Sequence, residues 1–237
     1  MLEPGTPIEK DLAGGQAHTF RVPVESGRFL RVIVEQQGID VRLEIIAPDD
    51  QALAEMDGPF GKRGPESLSI MAVSAGDYRI RVRPASETAR AGRYTIRIHE
   101  LRAPAPDDDD RINGERAFAE ARKSGPRASA NNQYTALEKY NQALTFWEQA
   151  GDRYEQARVL YGLGEFYFQI NKARDSVTRL SRALNMQQEL GDRWGEAYTR
   201  TLLARVYGDI QLDLALEHAN RARAYWEEAG EELNKAL

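Results

Sequence analysis

The chain has 237 residues, 41% hydrophobic and 29% charged, and no cysteine, which excludes disulfides, thiolate metal sites and thiol nucleophiles. The net charge of −5 divides into −1 over residues 1–102, −4 in the run Asp107 to Asp110, and 0 over residues 111–237. A nucleic-acid footprint needs a basic domain, so no nucleic-acid partner is expected. No apolar run approaches the roughly 18 residues of a membrane span. Met1-Leu2-Glu3-Pro4-Gly5 has neither the basic nor the apolar region of a signal peptide.

From Thr6 to Leu101 the apolar period is two. Phe20, Val22 and Val24 alternate with Arg21 and Pro23, and Val41, Leu43 and Ile45 with Arg42 and Glu44. Leu68, Ile70 and Ala72 form a further face, and Phe29 to Val34 is apolar on both faces, as in a strand central to its sheet. Turn residues at Ser26-Gly27, Gln37-Gly38, Pro48 to Asp50 and Asp57 to Pro65 punctuate these runs. Ala75-Gly76-Asp77-Tyr78-Arg79-Ile80-Arg81-Val82 is echoed by Ala91-Gly92-Arg93-Tyr94-Thr95-Ile96-Arg97-Ile98. About eight short strands at this spacing predict a jelly-roll-like antiparallel β-sandwich over residues 1–102.

Two features of this domain could carry chemistry. Arg79, Arg81, Arg83, Arg93 and Arg97 form an outward row that could receive an anion, or simply a solvated strand face. Asp40, Asp49, Asp50 and Asp57 could hold calcium if their loops converge, although no twelve-residue calcium loop is present and Asp is a common turn residue. His18, His99 and His218 show no ligand spacing, and no nucleophile elbow, phosphate loop or dinucleotide fingerprint occurs. Neither a catalytic site nor a cofactor is expected.

Ala103-Pro104-Ala105-Pro106 and the four aspartates predict an extended linker over residues 103–110. The aspartates would complement the positive end of a helix starting near Arg111.

The remainder, residues 111–237, predicts helices. A short one ends at Ser124-Gly125-Pro126, and a second runs from about Ala130 to Ala150 with Tyr134, Leu137, Tyr140, Leu144 and Trp147 on one stripe. Gly151-Asp152-Arg153 recurs as Gly191-Asp192-Arg193 and, degenerately, as Gly230-Glu231-Glu232, at spacings of 40 and then 39 residues. Glycine stops one helix and aspartate caps the next, so the triplet reads as punctuation. Aligned on it, Leu163-Gly164 pairs with Leu203-Ala204 and Tyr167 with Tyr207; after a one-residue deletion, Ser176 pairs with Ala215 and Ala183 with Ala222. Small residues at these points let helices approach closely.

This order of large-small, aromatic, small, small resembles the tetratricopeptide repeat in a longer form of about 40 residues. Departures are Leu180 becoming Ala219 and the lack of a closing proline. The resemblance implies about three hairpins whose first helices line a concave surface. Carried over by position, that surface presents Arg158, Tyr161, Glu165, Phe168 and Gln169 from one unit, and Tyr198, Leu202, Arg205 and Asp209 from the next. The whole order of Gly-x-Tyr strands, Pro-rich joint and Gly-Asp-Arg repeats looks like the front part of bacterial CHAT-domain proteins. The sandwich is similar to the pre-peptidase C-terminal domain. That family's caspase-like peptidase domain has no counterpart here, because the chain has no cysteine to serve as nucleophile.

Gly230 to Leu237 opens a further unit, with Ala236 at the place of Ala157 and Ala197, which leads us to expect an array cut short, with Leu233 and Leu237 short of packing partners. The expected function is a non-catalytic interaction module or scaffold that binds a peptide or protein. The alternative is a surface- or carbohydrate-binding sandwich with the repeats as spacer, which would need an aromatic platform on the sandwich. The family resemblance points to an envelope or secreted setting and the N-terminus points away from one, so compartment and oligomeric state stay open.

Overall fold

The computed structural model describes residues 1–125 and 130–230. Two compact units divide the chain, Met1–Ala119 and Glu120–Leu237. Eight antiparallel strands build the first: β1 (Ile8–Leu12), β2 (His18–Val24), β3 (Phe29–Gln37), β4 (Val41–Ile46), β5 (Ala52–Met56), β6 (Arg63–Met71), β7 (Gly76–Pro84) and β8 (Gly92–Arg102). They form two four-stranded sheets, ordered β1-β8-β3-β6 and β2-β7-β4-β5. This interleaving, in which successive strands alternate between sheets except at the β4–β5 hairpin, is jelly-roll-like. The expected β-sandwich and its strand count are therefore found.

The period-two residues turn inward as their alternation requires. Phe20, Val22 and Val24 of β2, Val41, Leu43 and Ile45 of β4, and Tyr78, Ile80 and Val82 of β7 are all buried. So are Tyr94, Ile96 and Ile98 of β8. The sequence doublet thus becomes two central strands, one in each sheet. Its glycines are required by close approach: a Cβ on Gly92 would stand 2.7 Å from the Gly38 carbonyl carbon, and one on Gly76 would stand 2.8 Å from Pro48.

That division also splits the arginine row. Arg79, Arg81 and Arg83 lie on one sheet, Arg93 and Arg97 on the other. Each meets a carboxylate: Arg79 with Asp50, Arg81 with Glu44 (3.1 Å), Arg83 with Glu55 (2.7 Å), Arg93 with Glu9 and Asp11 (3.1 and 3.2 Å), and Arg97 with Glu35 (3.4 Å). Apart from Arg79, whose partner Asp50 sits in the β4–β5 turn, these are ion pairs between strands on the solvated faces of the two sheets. Asp57 is taken by Arg42 at 2.8 Å, and Asp49 accepts the Gln51 N–H, so three of the four loop aspartates serve local partners. Phe20, Phe29, Phe60, Tyr78 and Tyr94 are all buried, which leaves them unavailable as a sugar-stacking platform.

Among the described residues six helices follow: α1 (Asp108–Lys123), α2 (Ala130–Gln149), α3 (Arg153–Gln169), α4 (Ala173–Leu190), α5 (Arg193–Tyr207) and α6 (Leu212–Glu228). Helix α1 begins at Asp108, earlier than the composition of the joint suggests. Asp108 is 1% exposed; its two oxygens take Arg102 in a bidentate pair at 2.7 Å each, and one also accepts the Ala105 N–H at 2.6 Å. The Arg102 guanidinium bonds Glu100 at 2.6 Å and stands 4.5 Å over the Phe29 ring. Further along α1, buried Glu115 accepts both the backbone N–H of Ser69 (2.5 Å) and its hydroxyl (3.0 Å). Ser69 lies on β6, an edge strand, whose unpaired N–H is thereby satisfied. This explains why Glu66 through Ile70 are buried on both faces of β6.

In the helical unit, Gly151 and Gly191 take φ of 67° and 68°, the left-handed conformation of a helix stop. Asp152 and Asp192 then cap α3 and α5, accepting the N–H of Glu155 (3.1 Å) and Gly195 (2.9 Å). The third residue has a use that punctuation alone does not capture. Arg153 pairs with Glu189 at the end of α4, and Arg193 pairs with Glu228 at the end of α6, closing each hairpin in the same way. Gly230 has the same left-handed φ, 71°; Glu231, Glu232, Leu233, Ala236 and Leu237 lie outside the described residues, as does Pro126.

Candidate functional site

Helices α3 and α5 are the first helices of successive hairpins, and their repeat register sets Glu165 against Arg205 and Arg158 against Tyr198. On α3, Tyr161, Glu165 and Phe168 are spaced four and three apart and so share one face. A cluster forms there. Glu165 Oε2 lies 3.7 Å from Arg122 Nη1, and the Arg205 guanidinium lies 5.2 Å from the centre of the Phe168 ring, a cation–π contact. Tyr161, 5% exposed, lies within the field of Glu165, Tyr198, Arg122 and Arg205.

The electrostatics follow from partial burial. Desolvation pushes the Glu165 carboxyl above its ordinary range, and Arg122 and Arg205 offset that only in part. Burial also pushes the Tyr161 phenol well up, and Tyr140 up to about 12 despite the Arg122 charge. The Arg122–Glu165 ion pair ties the last turn of α1 to α3 within the same unit, and the Arg122 charge also acts on Tyr140 of α2.

The nine sequence-derived positions therefore separate. Glu165, Phe168 and Tyr198 are half-buried, and Gln169, Arg205 and Asp209 are exposed. Arg158, Tyr161 and Leu202 are buried and cannot reach a ligand directly, which corrects their placement on an open surface. Arg158 is 2% exposed because Glu155, one turn earlier, takes its guanidinium at 3.1 Å and 3.2 Å. Arg122 joins the cluster unannounced, since nothing in the sequence of α1 marks it as facing α3, whereas Tyr140 lies on the apolar stripe that the sequence of α2 shows. Two grooves of the same unit have other linings. One, of about 580 Å³, is formed by α2 residues such as Tyr134, Leu137 and Phe146 with Tyr167; the other, of about 370 Å³, includes Arg193, Arg200 and Tyr225.

The cluster offers a carboxylate, two guanidiniums and aromatic faces, a set suited to recognition. Among the described residues, no group of three or more His, Asp or Glu side chains is arranged to hold a metal ion, and no helix is long and apolar enough to cross a membrane.

No family model matches the chain, and no curated protein matches it. Solved structures resemble its parts. The tetratricopeptide domain of Arabidopsis FLU is 18% identical over 52% of this chain and 99% of that one, with a TM-score of 0.44. A signal-transduction ATPase of Pyrococcus horikoshii with a tetratricopeptide sensor is 20% identical over 53% of this chain but only 19% of its own length, with a TM-score of 0.45. The pre-peptidase C-terminal domain of a Bacillus anthracis collagenase is 18% identical over 40% of this chain and 89% of that one, with a TM-score of 0.33. At these identities and scores no functional residue is carried across: what the chain has in its own right is an antiparallel β-sandwich followed by an array of helical hairpins.

Proposed function

We propose that this protein is a non-catalytic interaction module that binds a peptide or protein on the face shared by α3 and α5. The cluster of Glu165, Phe168 and Arg205 with Arg122 carries the reading. Its accessible side chains are arginine and aromatic, the types that dominate binding energy at interfaces. Their supports are buried, so little conformational freedom is lost on binding. Tyr161, Arg158 and Leu202 serve as the floor, while Gln169 and Asp209 extend the rim. The same reading makes the chain the recognition part of a larger CHAT-type protein, checked by whether an in-frame catalytic domain follows in its gene.

Random peptides displayed on phage and selected against the full chain test the proposal. Enriched peptides should lose at least about tenfold in affinity, roughly 1.4 kcal/mol, against Phe168→Ala with Arg205→Glu, at unchanged thermal stability. Equal binding to that double variant overturns it.

A further inference from the structure

The α5–α6 hairpin buries a charge where the preceding hairpin buries a leucine. In repeat register Arg200 of α5 stands for Leu160 of α3, and His218 of α6 stands for Arg179 of α4. Leu160 is 0% exposed and needs no polar partner, whereas Arg200, 4% exposed, carries a guanidinium to the same depth. A charge so placed is tolerated only among acceptors. Glu196, one turn earlier, accepts from its Nε at 2.7 Å. The other contact crosses the hairpin: Arg200 Nη1 lies 3.4 Å from His218 Nδ1. The His218 ring is stacked on Tyr207, with centroids 5.7 Å apart and planes 2° from parallel. Arginine can only donate, so Nδ1 presents its lone pair there and the imidazole is neutral.

We propose that His218 makes the α5–α6 hairpin an acid-sensitive latch, closed over the neutral ring and loosened when the ring takes up a proton. Protonation turns Nδ1 from acceptor to donor and sets two cations against each other. His218 is half-buried, so solvent protons reach it. On α5 the ring faces Tyr207 and Arg200, which Glu196 holds; on α6 it has Glu217 and Arg221, themselves paired at 3.0 Å. Desolvation first, then the charges of Arg200 and Arg221, hold the imidazole below its ordinary pKa, with Glu217 opposing. The rest of the hairpin does not titrate with it. Arg193 pairs with Glu228, whose carboxyl that pairing holds low, and Trp226 donates its indole N–H to Thr201 at 3.1 Å. The latch uses none of Glu165, Phe168 or Arg205, so it stands independently of the peptide-binding reading.

An imidazole held in the fold below its unfolded value of about 6.5 stabilises fully above that pH, and the contribution is lost as pH falls through the folded value. Two measurements on the full chain test the latch. An NMR titration of the histidine Cε1 protons should place His218 below about 6.5. Asparagine sets its Oδ1 where Nδ1 stood and takes up no proton, so His218→Asn keeps the acceptor and removes the titration. From pH 7 to pH 5 the wild-type melting temperature should fall by at least about 2 °C more than that of His218→Asn. A His218 that titrates at or above the free imidazole value overturns the proposal, as does an equal fall in both proteins.

Discussion

Gly164 and Leu180 share one space: a Cβ on Gly164 would stand 2.6 Å from Leu180 Cγ. The Ser176 hydroxyl, one turn before Leu180, donates to the Gly164 carbonyl at 2.8 Å and holds α3 and α4 together there. In the next hairpin Ala204 replaces Gly164, and Ala219 replaces Leu180. The departure of Ala219 from the repeat pattern is therefore paired with the extra methyl of Ala204. We predict that Gly164→Ala destabilises by about 1–3 kcal/mol through overpacking, exceeding the roughly 1 kcal/mol gained in helix propensity. Combined with Leu180→Ala it should cost less than the sum of the two single changes. Denaturant unfolding of the four proteins measures this coupling, and strict additivity would refute it.

Arg158 and Arg205 should respond oppositely to truncation. Arg158→Ala strands the buried Glu155 carboxylate, 4% exposed, and should cost about 3–5 kcal/mol. Arg205 is exposed, so Arg205→Ala should change stability by no more than about 0.5 kcal/mol. Thermal melts of both variants decide it; a matching large loss in each would make Arg205 structural too.

The Arg102–Asp108 pair predicts a pH dependence. Burial raises the Asp108 carboxyl, but the Arg102 hydrogen bond, the Ala105 N–H and the charges of Arg102 and Arg111 outweigh it, leaving Asp108 below its ordinary value. A depressed carboxyl stabilises the fold at pH values above its unfolded pKa, about 3.9, and that stabilisation is lost as pH falls through the folded value. The melting temperature of wild type should exceed that of Asp108→Asn at pH 7, with the gap closing towards pH 3. A gap that does not change with pH would contradict the clamp. Arg102→Lys should recover only part of the loss caused by Arg102→Ala, since lysine cannot make the bidentate pair.

Much of this architecture was legible in the chain. The alternation around Val22, Leu43 and Ile80 marks strands, and Gly151 and Gly191 mark helix ends, because local backbone preference decides both. Pairing between sheets is a long-range choice, so the arginine row looked continuous although β7 and β8 lie in different sheets. The run of aspartates looked like a spacer because its charge was visible, while the partner that buries Asp108, Arg102, could not be known from spacing. In the candidate site, repeat register located Glu165, Phe168 and Arg205. It could not reveal that Glu155 would draw Arg158 inward, nor that Arg122 of α1 would meet Glu165.

Chemical-shift mapping with a phage-selected peptide tests the central claim most directly. The account predicts that titrating the peptide into the isotope-labelled full chain perturbs Glu165, Phe168, Gln169, Tyr198 and Arg205 first and most strongly. Perturbations confined to the β-sandwich, or to the Tyr134–Phe146 groove on α2, would contradict it.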